Sequence, residues 1–142
     1  MSAGRAQLLY DADCGFCRWS LGWVLRWDRG RALQPVALQD PRARGLLGAI
    51  DAERRMASWH LVEADGSVAS AGAAAPPLLR LLPAGASLAW LLARAPALSE
   101  RAYARVAGAR GRLGARLTPA AIARADRLIA ARQAAQAGDP LP

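Results

Sequence analysis

No lysine occurs among the 142 residues, so all 19 basic side chains are arginine. Beside abundant alanine, this one-sided usage reads as a compositional habit of the source genome. Acidic residues are fewer, 11, and the formal net charge is +8. A basic surface attracts anions, but arginine without interleaved recognition motifs reads as a solvated charged face, so no specific nucleic-acid binding is expected. No apolar run approaches the roughly 20 residues of a membrane span, and Met1–Gln7 is too short and too polar for a signal peptide. The expected location is the cytoplasm. Histidine occurs once and cysteine twice, too few for a disulfide framework or a closed metal site within one chain. No internal repeat is found. What is present is 54% hydrophobic residues, enough for a real core in a chain of this length.

Both cysteines fall in one stretch, Leu8–Trp27, LLYDADCGFCRWSLGWVLRW. Leu8, Leu9 and Tyr10 have the length of a buried strand, Asp11–Asp13 form a polar turn, and a helical pattern follows to about Asp28. A Cys-x-x-Cys at a strand-to-helix junction reads first as a redox pair. With Asp13 as N-cap, Cys14 takes the first helical position, facing unpaired N–H groups and the positive end of the helix dipole, which favour thiolate. Cys14 is the candidate attacking thiol. Cys17, one turn deeper on the same face, is the candidate resolving thiol.

Several neighbours are candidates for tuning the pair. Arg18, at i+4 from Cys14, favours a thiolate, whereas Asp11 and Asp13 oppose one where they point at sulfur. Asp11 is also a candidate proton acceptor for Cys17, against the plainer role of a turn-forming aspartate. Trp19, Trp23 and Trp27 form one helical stripe, which predicts core; the alternative is an aromatic wall for a substrate, with Trp19 nearest the cysteines. His60, mid-strand, reads as packed and hydrogen-bonded, with a proton shuttle as the alternative.

Tyr10-Asp11-Ala12-Asp13-Cys14-Gly15-Phe16-Cys17 resembles the opening of the DCC family of predicted thiol-disulfide oxidoreductases. Trp27-Asp28-Arg29 with the strand ending Val36-Ala37-Leu38-Gln39, the turn Asp65-Gly66, and Tyr103-Ala104-Arg105-Val106-Ala107-Gly108-Ala109-Arg110 are similar to later family elements. The resemblance covers about Leu8–Leu117 and implies a thioredoxin-like α/β fold with extra helices. Two features depart from it. Gly72-Ala73-Ala74-Ala75 stands where members often carry Gly-Ser-x-Ala, and no proline precedes the third strand, where thioredoxins place a cis-proline.

Along the rest of the chain, Ala32–Leu38 reads as a second strand, and its Pro35 demands an edge position or an unpaired N–H. Strand, helix and strand make a right-handed βαβ unit whose ligand end carries the cysteines. Asp40-Pro41 starts a helix to about Ile50, Asp51–Arg55 reads as a charged connector, and Ala57–Glu63 as a third strand. A turn at Ala64-Asp65-Gly66 leads to a fourth strand, Ser67–Ala71, and Gly72–Leu82 to a helix. Ala86–Ala95, Leu98–Leu117 and a helix from Thr118-Pro119 to about Gln136 follow.

The expected fold is therefore α/β, a thioredoxin-like four-stranded mixed sheet in the order β-α-β-α-β-β-α with additional C-terminal helices. Residues 1–83 form the core, 84–137 a helical extension packed on it, and 138–142 a flexible tail. The arginine-rich extension suits an anionic membrane surface, but an α/β sheet also needs such helices as cover. The expected function is thiol-disulfide exchange with a protein or small-molecule disulfide or thiol, without cofactor or metal. The alternatives are a non-catalytic interaction module, a metal site shared between two chains, and a structural disulfide, which would close a loop worth only about 2 kcal/mol.

Overall fold

The computed structural model describes residues 4–138. Residues 139–142 of the expected tail lie outside them, and Gly138 caps the last helix.

β1 (Ala6–Tyr10) is followed by α1 (Gly15–Trp27) and β2 (Leu33–Ala37). α2 (Pro41–Leu46) and α3 (Ala52–Ala57) lead to β3 (His60–Val62) and β4 (Val68–Ser70). A single 3-10 turn, Ala71–Ala74, runs into α4 (Ala75–Leu81), and α5 (Ala86–Arg94), α6 (Pro96–Ala115) and α7 (Pro119–Ala137) complete the described chain. The sheet order is β2-β1-β3-β4, with β1 and β2 parallel and the other two pairs antiparallel. This is the expected α/β fold with a four-stranded mixed sheet and further helices. β2 lies at an edge, which accommodates Pro35 within the strand.

Alternation along β1 divides the core into two layers. Leu8 and Tyr10 join Leu21 and Leu25 of α1, Leu61, Leu78 and Ile129 on one face. Leu9 joins Val36, Ala43, Leu47 and Val62 on the other. Because Ile129 belongs to α7, the last helix closes the first layer.

The structure differs from the sequence expectations at several places. Asp51–Arg55 is not a connector: Asp51 accepts from the Arg54 N–H at 2.9 Å and caps α3, so the long third strand contracts to three residues. The helix expected from Asp40 to about Ile50 ends at Leu46, although Asp40 and Pro41 start it as their types dictate. The helix expected from Gly72 begins as the 3-10 turn, with the α-helix starting at Ala75.

The tryptophan stripe of α1 is not core. Trp23 is 55% and Trp27 40% exposed, and Trp19 is half-buried. The buried stripe is Leu21, Gly22 and Leu25. α7 lies so close that a Cβ on Gly22 would sit 2.7 Å from the Ala125 Cβ. Only small side chains fit that contact, so the bulky indoles fall on the outer face.

α7 is also held by polar contacts. Arg18 of α1 pairs with Asp126 at 2.8 Å. At the far end of α1, Arg132 Nη1 donates to Asp28 Oδ2 at 2.6 Å and to the Leu33 carbonyl at 3.1 Å. Asp28 in turn accepts from the N–H groups of Ala32 and Leu33, which fixes the α1–β2 turn.

Candidate active site

The Asp11–Asp13 turn leaves the carboxyl end of β1, and its geometry follows from short polar side chains bonding to nearby backbone. Asp11 Oδ1 accepts from the Asp13 N–H at 3.0 Å, the local bond of an Asx turn. Gln39, just beyond β2, locks the turn from the side. Its Nε2 donates to Asp11 Oδ1 at 2.8 Å and Asp13 Oδ2 at 3.2 Å, and its Oε1 accepts from the Ala12 N–H at 3.1 Å. The two parallel strands thus end in one hydrogen-bonded knot beneath the cysteines.

Cys14 itself is the N-cap of α1, a correction to the expectation that Asp13 would cap and Cys14 would open the helix. Its Sγ accepts from the Cys17 N–H at 3.3 Å, a role usually filled by an oxygen. Asp13 points instead to Gln39, which removes its carboxylate from the helix start. The sulfur therefore occupies the anion position of the helix N-terminus.

Both cysteines are free thiols and half-buried. Burial pushes the Cys17 thiol up to about 12, helped by its hydrogen bond to Cys14 and the charges of Cys14 and Asp11, and opposed by Arg110. Arg110 of α6 is thus the cation that favours a Cys17 thiolate. Arg18, expected in a tuning role, is turned to Asp126. Trp19 lies tilted beside Phe16, centroids 5.8 Å apart, and meets Trp23 edge-on at 6.3 Å, so it borders the site through Phe16.

His60 is remote in facing. It pairs with Leu9 in the β1–β3 register and so shares the second core layer, whereas Leu8, Tyr10 and α1 form the first. Its Nε2 donates to the Arg55 carbonyl at 2.9 Å, leaving Nδ1 to accept from the Ser70 hydroxyl at 2.6 Å. Burial lowers its pKa, and both ring nitrogens are occupied by a structural task. Among the described residues no cluster of three or more metal-ligating side chains forms.

The position before β3 is Trp59, and no cis peptide bond occurs among the described residues. The Trp59 N–H donates to the Tyr103 hydroxyl at 3.1 Å, and the two rings stack with centroids 5.9 Å apart. The missing hydroxyl of the Gly72–Ala75 segment has a counterpart from α6: Glu100 Oε1 accepts from the Ala73 N–H at 2.9 Å. α6 therefore reaches two loops beside the cysteines.

A family model for DCC1-like thiol-disulfide oxidoreductases matches residues 8–116. The chain belongs to this family. Searches of curated proteins and of solved structures returned no match. The DCC1-like match runs from β1 to the end of α6, so it includes the Cys-x-x-Cys turn, Gln39, Trp59, Tyr103 and Arg110. α7, which supplies Asp126 and Arg132, follows the matched region.

Sequence reasoning did not assign roles to Gln39, Trp59 or Arg110. Gln39 closes the Val36–Gln39 segment and Arg110 the Tyr103–Arg110 segment, so both lay in stretches with a family signal. Neither stretch by itself says that its last residue faces the cysteines, because that depends on where separate elements converge.

Proposed function

We propose that this DCC1-like protein carries out thiol-disulfide exchange with Cys14 as the attacking and Cys17 as the resolving thiol. The observation that carries the reading is Cys14 Sγ at the N-terminus of α1, receiving the Cys17 N–H at 3.3 Å. Donors and dipole there stabilise negative charge on an attacking or departing sulfur. The raised pKa of Cys17 keeps the second sulfur protonated until it is needed.

In the reducing direction, the Cys14 thiolate attacks one sulfur of a substrate disulfide, forming a mixed disulfide and expelling the other sulfur as thiolate. Cys17 then loses its proton and attacks Cys14 Sγ. The Cys14–Cys17 disulfide forms, and the remaining substrate sulfur leaves reduced. The two thiols supply both electrons, so no further cofactor enters the exchange. Asp11, whose charge acts on Cys17, is the proton acceptor for this second step. Gln39 and the Asp13 N–H hold its Oδ1, leaving Oδ2 for the proton.

The test is a redox titration in glutathione buffers, read by thiol alkylation and mass, with Cys14→Ser and Cys17→Ser variants alongside. A reversible two-electron couple with Cys14 alkylating first supports the assignment. Two inert thiols would overturn it in favour of an interaction module, and thiols released only by a chelator in favour of a shared metal site.

A further inference from the structure

α6 touches the rest of the fold closely near its two ends. Near its start, a Cβ on Gly72 would fall 2.6 Å from the Ser99 carbonyl and the Glu100 nitrogen. Near its finish, a Cβ on Gly114 would lie 3.5 Å from the Phe16 nitrogen. Between these anchors the helix runs about 22 Å and bridges a gap above the sheet face and α1. The gap is a cavity of about 380 Å3, a size typical of small-molecule sites.

The walls include Leu21 and Val24 of α1, Leu92 of α5 and Val106 of α6. Several polar groups in the wall already have partners within the protein. The Tyr103 hydroxyl accepts from Trp59, the Ser20 hydroxyl donates to the Cys17 carbonyl, and the Trp59 ring N–H donates to the Ala71 carbonyl. Arg110 differs. Its side chain is half-buried at the cavity, close enough to act on both Cys17 and Tyr103, and makes no hydrogen bond or ion pair among the described residues. Asp11 also lines the cavity, but its Oδ1 is held by Gln39 and it forms no ion pair with Arg110. A half-buried arginine without a counter-charge is a ready partner for an anion.

We propose that this cavity is a binding site for a small apolar carboxylic acid, its hydrocarbon body under α6 and its carboxylate on Arg110 beside Cys17. The apolar walls select the body, and the Arg110 guanidinium selects the head group. An occupant covers Cys17 and neutralises the cation that favours its thiolate, so occupancy slows reaction at that thiol. The site does not depend on the exchange reaction. Binding to a protein with inert thiols would leave it standing while removing the redox reading.

The test is calorimetric titration of the full chain with decanoate below its micelle concentration, with decanol as the uncharged comparison. Saturable binding of the acid at one site is expected, with the alcohol at least about tenfold weaker. Arg110→Gln weakens the acid by about the same factor and leaves the alcohol unchanged. Ala107→Trp, which places an indole in the cavity from a half-buried lining position of α6, abolishes both. Decanoate should also slow alkylation of Cys17 in the Cys14→Ser variant. Absence of binding by the correctly folded wild type, equal binding of acid and alcohol, or binding indifferent to Ala107→Trp in a folded variant would each overturn the proposal.

Discussion

Asp28 and Arg132 stand 104 positions apart in the chain and meet at 2.6 Å, with the Asp28 side chain wholly buried and Arg132 11% exposed. The pair does more than join two charges. Arg132 also donates to the carbonyls of Leu25, Asp28 and Leu33, and Asp28 accepts from two backbone N–H groups, so the end of α1, the turn into β2 and α7 share one network. Removing either partner leaves the other charge buried without its counter-charge. Asp28→Ala and Arg132→Ala are each expected to lower unfolding free energy by about 3–5 kcal/mol, measured by denaturant melts. The double variant should lose less than the sum of the two, because the second deletion removes a charge already stranded.

Asp11 takes part in the turn through Oδ1 and acts electrostatically on Cys17. Asp11→Asn keeps the oxygen that the turn uses and removes the proposed proton acceptor. Resolution of a mixed disulfide preformed at Cys14 is expected to slow by about a hundredfold, with little change in stability. Quenched-flow trapping reads the rate. Unchanged resolution in a folded variant would reduce Asp11 to a turn residue.

The height of the Cys17 pKa has separable causes, and each predicts a direction. Cys14 raises it, so Cys14→Ser shifts the pH profile of Cys17 alkylation to lower pH than in the wild type. Arg110 lowers it, so adding Arg110→Gln to that variant moves the profile back up. Alkylation rates measured across the alkaline range on folded protein check both shifts.

His60 titrates below its ordinary value of 6.5 because burial disfavours the charged ring. The unfolded chain therefore binds this proton more readily than the folded one. Its contribution is fully present above pH 6.5 and is lost as pH falls from there through the lowered folded value. Denaturant melts between pH 7.5 and pH 5 should show wild-type stability falling more steeply than that of His60→Gln.

The features legible in the amino-acid sequence are those set within a few residues. Leu8–Tyr10 followed by a polar turn and Cys-x-x-Cys specifies a strand, a tight reversal and a helix start. Asp40-Pro41 and Thr118-Pro119 announce helices because an oxygen at the N-cap and a fixed φ at the next position act locally. Pro35 within an apolar run demanded an edge position or an unpaired N–H, and β2 lies at an edge. Asp51 was as good a cap as Asp40, but the charges after it masked a short helix.

Tertiary structure decided which face of each element is used and which distant groups meet. The period of α1 allows either the indole stripe or the Leu21–Gly22–Leu25 stripe to be buried, and the close approach of α7 at Ala125 selects the one with room. The i+4 spacing of Arg18 pointed it to Cys14, but Asp126, 108 residues away, took it. Whether Asp13 or Cys14 caps the helix was settled by Gln39, which arrives from β2 and holds the aspartate aside. Local sequence determined the sulfur pair and the turn that carries it, because those depend on neighbouring torsions and caps. The cation beside Cys17 and the cavity under α6 arise only where α6 crosses α1 and the sheet, since charge and space act through distances that the order of residues does not contain.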